Sequence, residues 1–269
     1  MQRTRGDHES KLVLREEKVT FVISPMQETD IQQKVDEIVS DGFCILRGQF
    51  PRDAMQACFD AFLPTLLEFA EANRNEPNRG SERHYINLPF EPPFYDPRFF
   101  FDETILAIGR KLLSDDLYIY LHATDTPLNG SVYQDVHEDL GPLFHDHPDL
   151  VLPPEVLTVN YSFVDVTPEN GPFEVARGSH RLPKSEALVK VEAGEIPLEP
   201  VLLEAGDVLV RNPRCLHRGT PNTTDTPRPV AMYTLNRLWR HWNIRGNPIP
   251  DSTWDGLTEA QQRLLKRLR

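Results

Sequence analysis

The sequence predicts a mainly β fold with bracing helices, a double-stranded β-helix (jelly roll, cupin-like), from three observations. Short alternating or β-branched runs recur from Leu117 onward, at 117–124, 130–138, 156–165, 172–176, 199–203, 206–211 and 228–236, with Gly, Pro, Asn and Asp between them. Helical patterns come first and strands later, without the β-α-β alternation of a parallel sheet. The 24 prolines in 269 residues favour short elements joined by rigid turns.

Taken in order, residues 1–17 are charged and expected to be loosely ordered, and 18–269 are expected to form a single catalytic jelly-roll domain with N-terminal helices and a C-terminal helix. Thr29 with Gln32 three positions on has the form of a capping box. It would open a helix whose apolar positions Ile31, Val35, Ile38 and Val39 share a face and which Gly42 ends. Phe43–Leu46 then reads as a buried strand. A helical stretch over about 52–73 should be kinked or divided at Pro64. Residues 102–114 give another helix, with Ile105, Leu106, Ile108, Leu112 and Leu113 as its apolar set, and Thr258–Leu268 a last one. The turn-rich Thr220–Pro227 suggests that 208–217 and 228–236 are hairpin neighbours, and Glu169-Asn170-Gly171 reads as a hairpin turn.

Composition narrows the function classes. A formal net charge of −12 opposes nucleic acid or an anionic membrane surface as a partner, since both attract basic faces. No window approaches the roughly 20 apolar residues of a membrane span, and MQRTRGDHESK carries no apolar signal-peptide region. Cys44, Cys58 and Cys215 are scattered and odd in number, as expected of reduced thiols in a cytoplasmic protein. The sequence assigns no oligomeric state.

The chemistry-bearing residues are histidines and carboxylates. Ferrous iron that must activate O₂ needs few protein ligands, and two histidines with one carboxylate leave three coordination positions open. The local signature is His-x-Asp/Glu, since residues i and i+2 of a strand project to one side. With nine histidines and 41 acidic residues a lone match means little, and the chain has two: His137/Asp139 and His147/Asp149. The first follows the strand-like run Ser131–Val136 and can be rigid; the second lies between prolines in a polar loop, where ligands are poorly preorganised. His217, closing the run Gly206–Leu216, is the candidate for a distant third ligand. Arg228 follows it at the head of an apolar strand, where a guanidinium can fork onto a carboxylate such as the distal one of 2-oxoglutarate. Thr158, Asn160 and Ser162 alternate with apolar neighbours, and a polar face inside such a fold is costly unless it lines a site.

YQDVHEDLGPLF, VDVTPENGPFEVARGSH and GDVLVRNPRCLHRGTPNTTDTPRP, in that order, together resemble the phytanoyl-CoA dioxygenase-like family of Fe(II)/2-oxoglutarate-dependent oxygenases, and SDGFCILRGQF resembles that family's opening helix and strand. The resemblance runs from about residue 28 to 238. It implies an Fe(II) site at His137, Asp139 and His217, with 2-oxoglutarate and O₂ as cosubstrates and Arg228 on the cosubstrate carboxylate. Asn160 falls where the family places a cosubstrate contact, and Gln134 is a further candidate. Arg177 departs from the family's usual proline before Gly-Ser/Thr-His, which bears on the conformation of that loop, and Ser179-His180 reads as a loop-fixing pair. The intact Asp139 favours oxygen transfer over halogenation. The implied activity is oxidation, in the first place hydroxylation, of an unactivated C–H bond of a small metabolite, with secondary metabolism as one setting. Desaturation, cyclisation, epimerisation, a metalloenzyme without 2-oxoglutarate and a non-catalytic binding protein are the competitors. Tyr85, Phe94 and Tyr95, in the aromatic segment 85–101, are candidate substrate contacts, with sealing of a helix–sheet interface as the alternative.

Overall fold

A computed structural model describes residues 26–74, 79–242 and 247–269; the expectation for 1–17 lies outside the described residues. Helix α1 spans Glu28–Asp41 and starts from Gln27, which makes no side-chain cap. The expected capping box is therefore not formed: Thr29 is inside the helix, and the Gln32 amide bonds the Asp36 carboxylate at 2.9 Å. Glu28 and Asp30 in the first turn favour this earlier start by opposing the helix dipole's positive end. Gly42 does end the helix, at φ 93°, and no side chain fits there because a Cβ would lie 2.6 Å from Cys215 Sγ.

Strand β1 is Phe43–Leu46, and α2 runs unbroken from Arg52 to Ala72. The expected division at Pro64 does not occur. Pro64 lies on the exposed side, where the carbonyl it leaves without a partner can take water, while Met55, Cys58, Phe62 and Leu66 keep the buried stripe continuous. Next come β2 (Arg83–Asn87), α3 (Pro97–Phe100) and α4 (Glu103–Leu112), whose first turn is capped by the Asp102 carboxylate accepting from Ile105 N–H at 3.0 Å. The remaining strands are β3 (Leu117–Pro127), β4 (Val156–Ser162), β5 (Phe173–Ala176), β6 (Leu198–Val201), β7 (Val208–Arg211), β8 (His217–Gly219) and β9 (Val230–Arg237). Helix α5 (Lys184–Glu192) lies between β5 and β6, and α6 (Asp251–Trp254) and α7 (Glu259–Leu265) follow β9. In α7 a capping box does form, between Thr258 and Gln261.

The strands make two antiparallel sheets, a larger one in the order β1-β7-β4-β9-β3-β2 and a smaller one in the order β6-β5-β8. This is the expected jelly-roll architecture with bracing helices, and it does not close into a barrel. Three local expectations fail. Segments 208–217 and 228–236 are not a hairpin, because β4 pairs with both β7 and β9 and separates them, while β8 leaves for the other sheet. Asn170-Gly171 is not a hairpin turn either; it carries the chain from β4 in one sheet to β5 in the other, held by Asn170 bonds to Thr167 N–H and the Asp165 carbonyl. Segment 130–138 forms no regular strand, only an isolated bridge at His137.

All seven residues of β4 are buried, because the strand is covered on both faces. Leu157, Val159 and Tyr161 join Ala231, Tyr233 and Leu235 of β9 in the main core beneath α1, α2 and α4. Thr158 and Asn160, with Val230, Met232 and Thr234, face a cavity between the sheets. Each fully buried aliphatic or aromatic side chain in that core stabilises the fold by about 1.5–3 kcal/mol. No helix among the described residues is long and apolar enough to cross a membrane.

Candidate metal centre

His137 and His217 meet because their backbones pair. His137 N–H donates to the His217 carbonyl and His217 N–H to the His137 carbonyl, both at 2.9 Å, which leaves the ring centroids 4.4 Å apart. Asp139 is fixed beside them by its own N–H bond to the Pro213 carbonyl at 2.9 Å. His137, Asp139 and His217 bring ligand atoms within 4.8 Å of one another, a group that could hold a metal ion. Each imidazole Nδ1 lies at a backbone carbonyl two residues back, Asp135 at 2.7 Å and Cys215 at 2.8 Å. A carbonyl only accepts, so each Nδ1 carries the hydrogen and each Nε2 keeps a free lone pair. Those Nε2 atoms face Asp139 Oδ1, at 3.8 Å from His137 and 3.4 Å from His217.

The segment leading into His217 is itself anchored. Ser179 Oγ accepts the Leu216 N–H at 2.8 Å, and the His180 imidazole bonds the Val39 carbonyl at 3.2 Å. Arg177 ties the same loop to Asp41 and Glu199, which accounts for a guanidinium before Gly178.

The charges suit metal ligation. Burial would raise the Asp139 carboxyl, but Arg211 and His217 overcome this and hold it well below the usual carboxylate range. Burial, helped by Arg211, lowers His217, so its imidazole is neutral at pH 7, as a metal ligand must be. The carboxylate is about one third exposed, toward a cavity of about 370 Å³.

Arg228 lines the same cavity and is 3% exposed. Its Nη2 donates to the Gly171 carbonyl at 2.5 Å, its Nε is buried without a partner, and no carboxylate pairs with it among the described residues. Burial and the neighbouring Arg83 pull its pKa down to about 9. An unpaired guanidinium in such a place fits an anionic ligand.

Asn160 and Gln134 also line the cavity, each partly engaged: Asn160 Oδ1 accepts from Arg211 Nε at 3.2 Å, and Gln134 Oε1 accepts the Gly219 N–H at 2.9 Å. Tyr85 lines the cavity on β2, its ring 4.5 Å beneath the Arg79 guanidinium. Phe94 and Tyr95 are placed elsewhere. They pack on the main core, Phe94 against Phe62 at 6.4 Å and Tyr95 stacked on Phe100 at 5.7 Å, sealing helices onto the sheet. His147 and Asp149 are exposed, and Asp149 accepts from Ser185. The sequence reading missed Arg211, whose Nη2 bonds Asp139 Oδ2 at 2.7 Å, and Phe173, whose ring lies 4.8 Å from that of His217. The available signal was parity: Arg211 shares the cavity-facing side of β7 with Leu209.

A family model for phytanoyl-CoA dioxygenase (PhyH) matches residues 38–230, and the chain belongs to that family. The iron/alpha-ketoglutarate-dependent dioxygenase ausU of Aspergillus calidoustus is 26% identical over 222 residues, covering 77% of this chain and 71% of that protein. Solved structures share the fold, two of them as follows. The non-heme alpha-ketoglutarate-dependent epimerase SnoN from nogalamycin biosynthesis matches with a TM-score of 0.58 and 19% identity, over 78% of this chain and 82% of its own. The corresponding carbocyclase SnoK matches at 0.59 and 18%, over 80% and 87%.

Proposed function

We propose that this protein is a non-haem Fe(II)/2-oxoglutarate-dependent dioxygenase that hydroxylates an unactivated C–H bond of a small metabolite. The observation that carries the reading is the juxtaposition, in one cavity, of three ligand atoms within 4.8 Å and a buried guanidinium with no carboxylate of its own. Family membership and the iron/alpha-ketoglutarate-dependent relative support the same chemistry.

In this reading His137 and His217 offer Nε2 and Asp139 offers Oδ1 to the metal, and Arg228 receives the distal carboxylate of 2-oxoglutarate. Iron, when bound, would supply O₂ activation coupled to decarboxylation of 2-oxoglutarate to succinate and CO₂. Asn160 and Gln134 border the cosubstrate. Leu209, Val166 and Phe173 give the cavity apolar wall, and low polarity strengthens a carboxylate–guanidinium attraction within it. Tyr85, Leu121 and Trp242, also on the cavity wall, orient the metabolite. Leu121 is directed there by a bulge in β3, where it adopts φ 65°.

A second outcome has a specific observation behind it, since fold relatives include an epimerase and a carbocyclase. Both reactions begin with the same hydrogen removal as hydroxylation and diverge from it only afterwards. The test is a metabolite screen for substrate-dependent succinate release under air, with mass analysis of the product. A product heavier by one oxygen atom supports hydroxylation; an isobaric one or one lighter by two hydrogens assigns the alternative. Absence of the weak visible band of an Fe(II)–2-oxoglutarate chelate, in anaerobic protein given both, sinks the whole reading.

A further inference from the structure

Arg211 closes β7 with its side chain on the cavity side and is 5% exposed. It is held on three sides. Nη2 donates to Asp139 Oδ2 at 2.7 Å, Nε donates to Asn160 Oδ1 at 3.2 Å, and the guanidinium carbon lies 5.2 Å from the centre of the Phe173 ring. The two oxygens of Asp139 are thereby given different tasks. Oδ2 is bound to the guanidinium, and Oδ1 is the one that approaches both imidazole Nε2 atoms.

We propose that Arg211 is a positioning residue that keeps Asp139 a one-oxygen metal ligand. The inference rests on the iron-centre reading of this site and deepens it. A carboxylate with both oxygens free can chelate a divalent ion through both. Here that would occupy one of the three positions that a two-histidine, one-carboxylate centre keeps for cosubstrate and O₂. A charge-assisted hydrogen bond to Oδ2 competes with that second contact and fixes the carboxylate's rotation. Asn160 and Phe173 hold the guanidinium independently of any metal. A lysine could match the charge of Arg211 but not its planar grip on Asp139 and Asn160 together.

Wild-type protein, Arg211→Lys and Arg211→Leu are prepared metal-free and titrated anaerobically with Fe(II), then with 2-oxoglutarate, by calorimetry and visible absorption. Co(II) spectra report coordination, and melting of the metal-free proteins reports the fold. Both variants are expected to give a changed Co(II) spectrum and to take up 2-oxoglutarate about 10–100-fold more weakly, Arg211→Leu more so than Arg211→Lys, with melting within a few degrees of wild type. An unchanged Co(II) spectrum with wild-type 2-oxoglutarate uptake in a folded variant overturns the proposal. If Arg211→Leu does not fold, Arg211→Lys and Asn160→Ala, which frees Arg211 from its other side, decide by the same criterion. If wild-type protein itself takes up neither Fe(II) nor 2-oxoglutarate, the iron-centre reading falls and the positioning role falls with it. Normal uptake by all the proteins removes the positioning role alone.

Discussion

Replacing Arg228 by Met should weaken 2-oxoglutarate binding severely without weakening the metal-free fold. The side chain is 3% exposed, has an unpartnered Nε, and has Arg83 as a neighbouring cation, itself occupied with Asp125 at 2.9 Å and the Thr220 carbonyl at 2.8 Å. Burial first, then Arg83, bring its pKa from 12.5 to about 9. A base whose folded pKa lies below its unfolded one opposes folding in its charged form, fully so below pH 9. As a free energy the fall corresponds to an upper bound of roughly 5 kcal/mol. Arginine does not shed its proton at working pH, so the fold carries this cost, eased only in part by the attraction of Asp125, until an anion binds. Methionine removes the charge at similar length, and such replacements of buried ions are neutral or stabilising. The metal-free variant should therefore melt at or above the wild-type temperature, by about 2–4 °C for each kcal/mol relieved. Hydrogen bonds to charged groups contribute about 1.5–3 kcal/mol each, so losing a two-bond fork raises the dissociation constant of 2-oxoglutarate by about 10²–10⁴. Anaerobic titration of the Fe(II) protein measures the first quantity and thermal melting, with and without 2-oxoglutarate, the second. A dissociation constant within about threefold of wild type refutes the assignment of the cosubstrate carboxylate to Arg228. Metal-free melting several degrees lower refutes the argument from an uncompensated charge.

Burial lowers His122 to a pKa of about 3, with its Nε2 on the Tyr161 hydroxyl at 3.0 Å. Its folded pKa lies below its unfolded value, so stability is lost as pH falls from about 6.5 toward 3. The cost is about 2 kcal/mol at pH 5, and denaturant titrations at pH 7 and 5 should show His122→Gln losing less than wild type over that interval. Gly206→Ala should destabilise by more than about 3 kcal/mol, because Gly206 has φ 92° and its Cβ would lie 2.2 Å from the Phe50 carbonyl oxygen. Gly48→Ala, at φ 59° in open space, should cost only about 1 kcal/mol, so equal melting shifts for the two would contradict the steric account. Tyr85→Ala should raise the KM of an identified substrate, while Phe94→Ala, at a partly buried position, should lower stability by about 1–3 kcal/mol and leave KM alone. A selective KM effect at Phe94 would reverse that division.

Local signals were legible wherever local physics decides. The period of Ile105, Leu106, Ile108 and Leu112 gave α4, Gly42 marked the end of α1 by its left-handed backbone, and β1, β3, β4 and β9 followed from apolar runs. Strands β2 and β8 were not legible, because Arg83–Asn87 and His217–Gly219 are largely polar and carry no apolar or alternating run. The division expected at Pro64 and the cap expected at Thr29 are absent, because Pro64 faces solvent, so α2 continues past it, and α1 starts before Thr29.

The sequence by itself determined the candidate residues: a His-x-Asp, a later histidine and an arginine beyond it, in a chain that belongs to the phytanoyl-CoA dioxygenase family. Only the tertiary structure decided how they meet. His137 and His217 are joined by a reciprocal pair of backbone hydrogen bonds between a segment that reads as a strand but forms none and a three-residue strand that no run announces. Likewise Arg211 read as the end of an apolar strand until β7 took its place beside β4 and set the guanidinium between Asn160 and Asp139. Periodicity along a chain specifies which face a side chain takes. Its neighbour across a cavity is fixed by sheet order, which the energy of the whole fold selects.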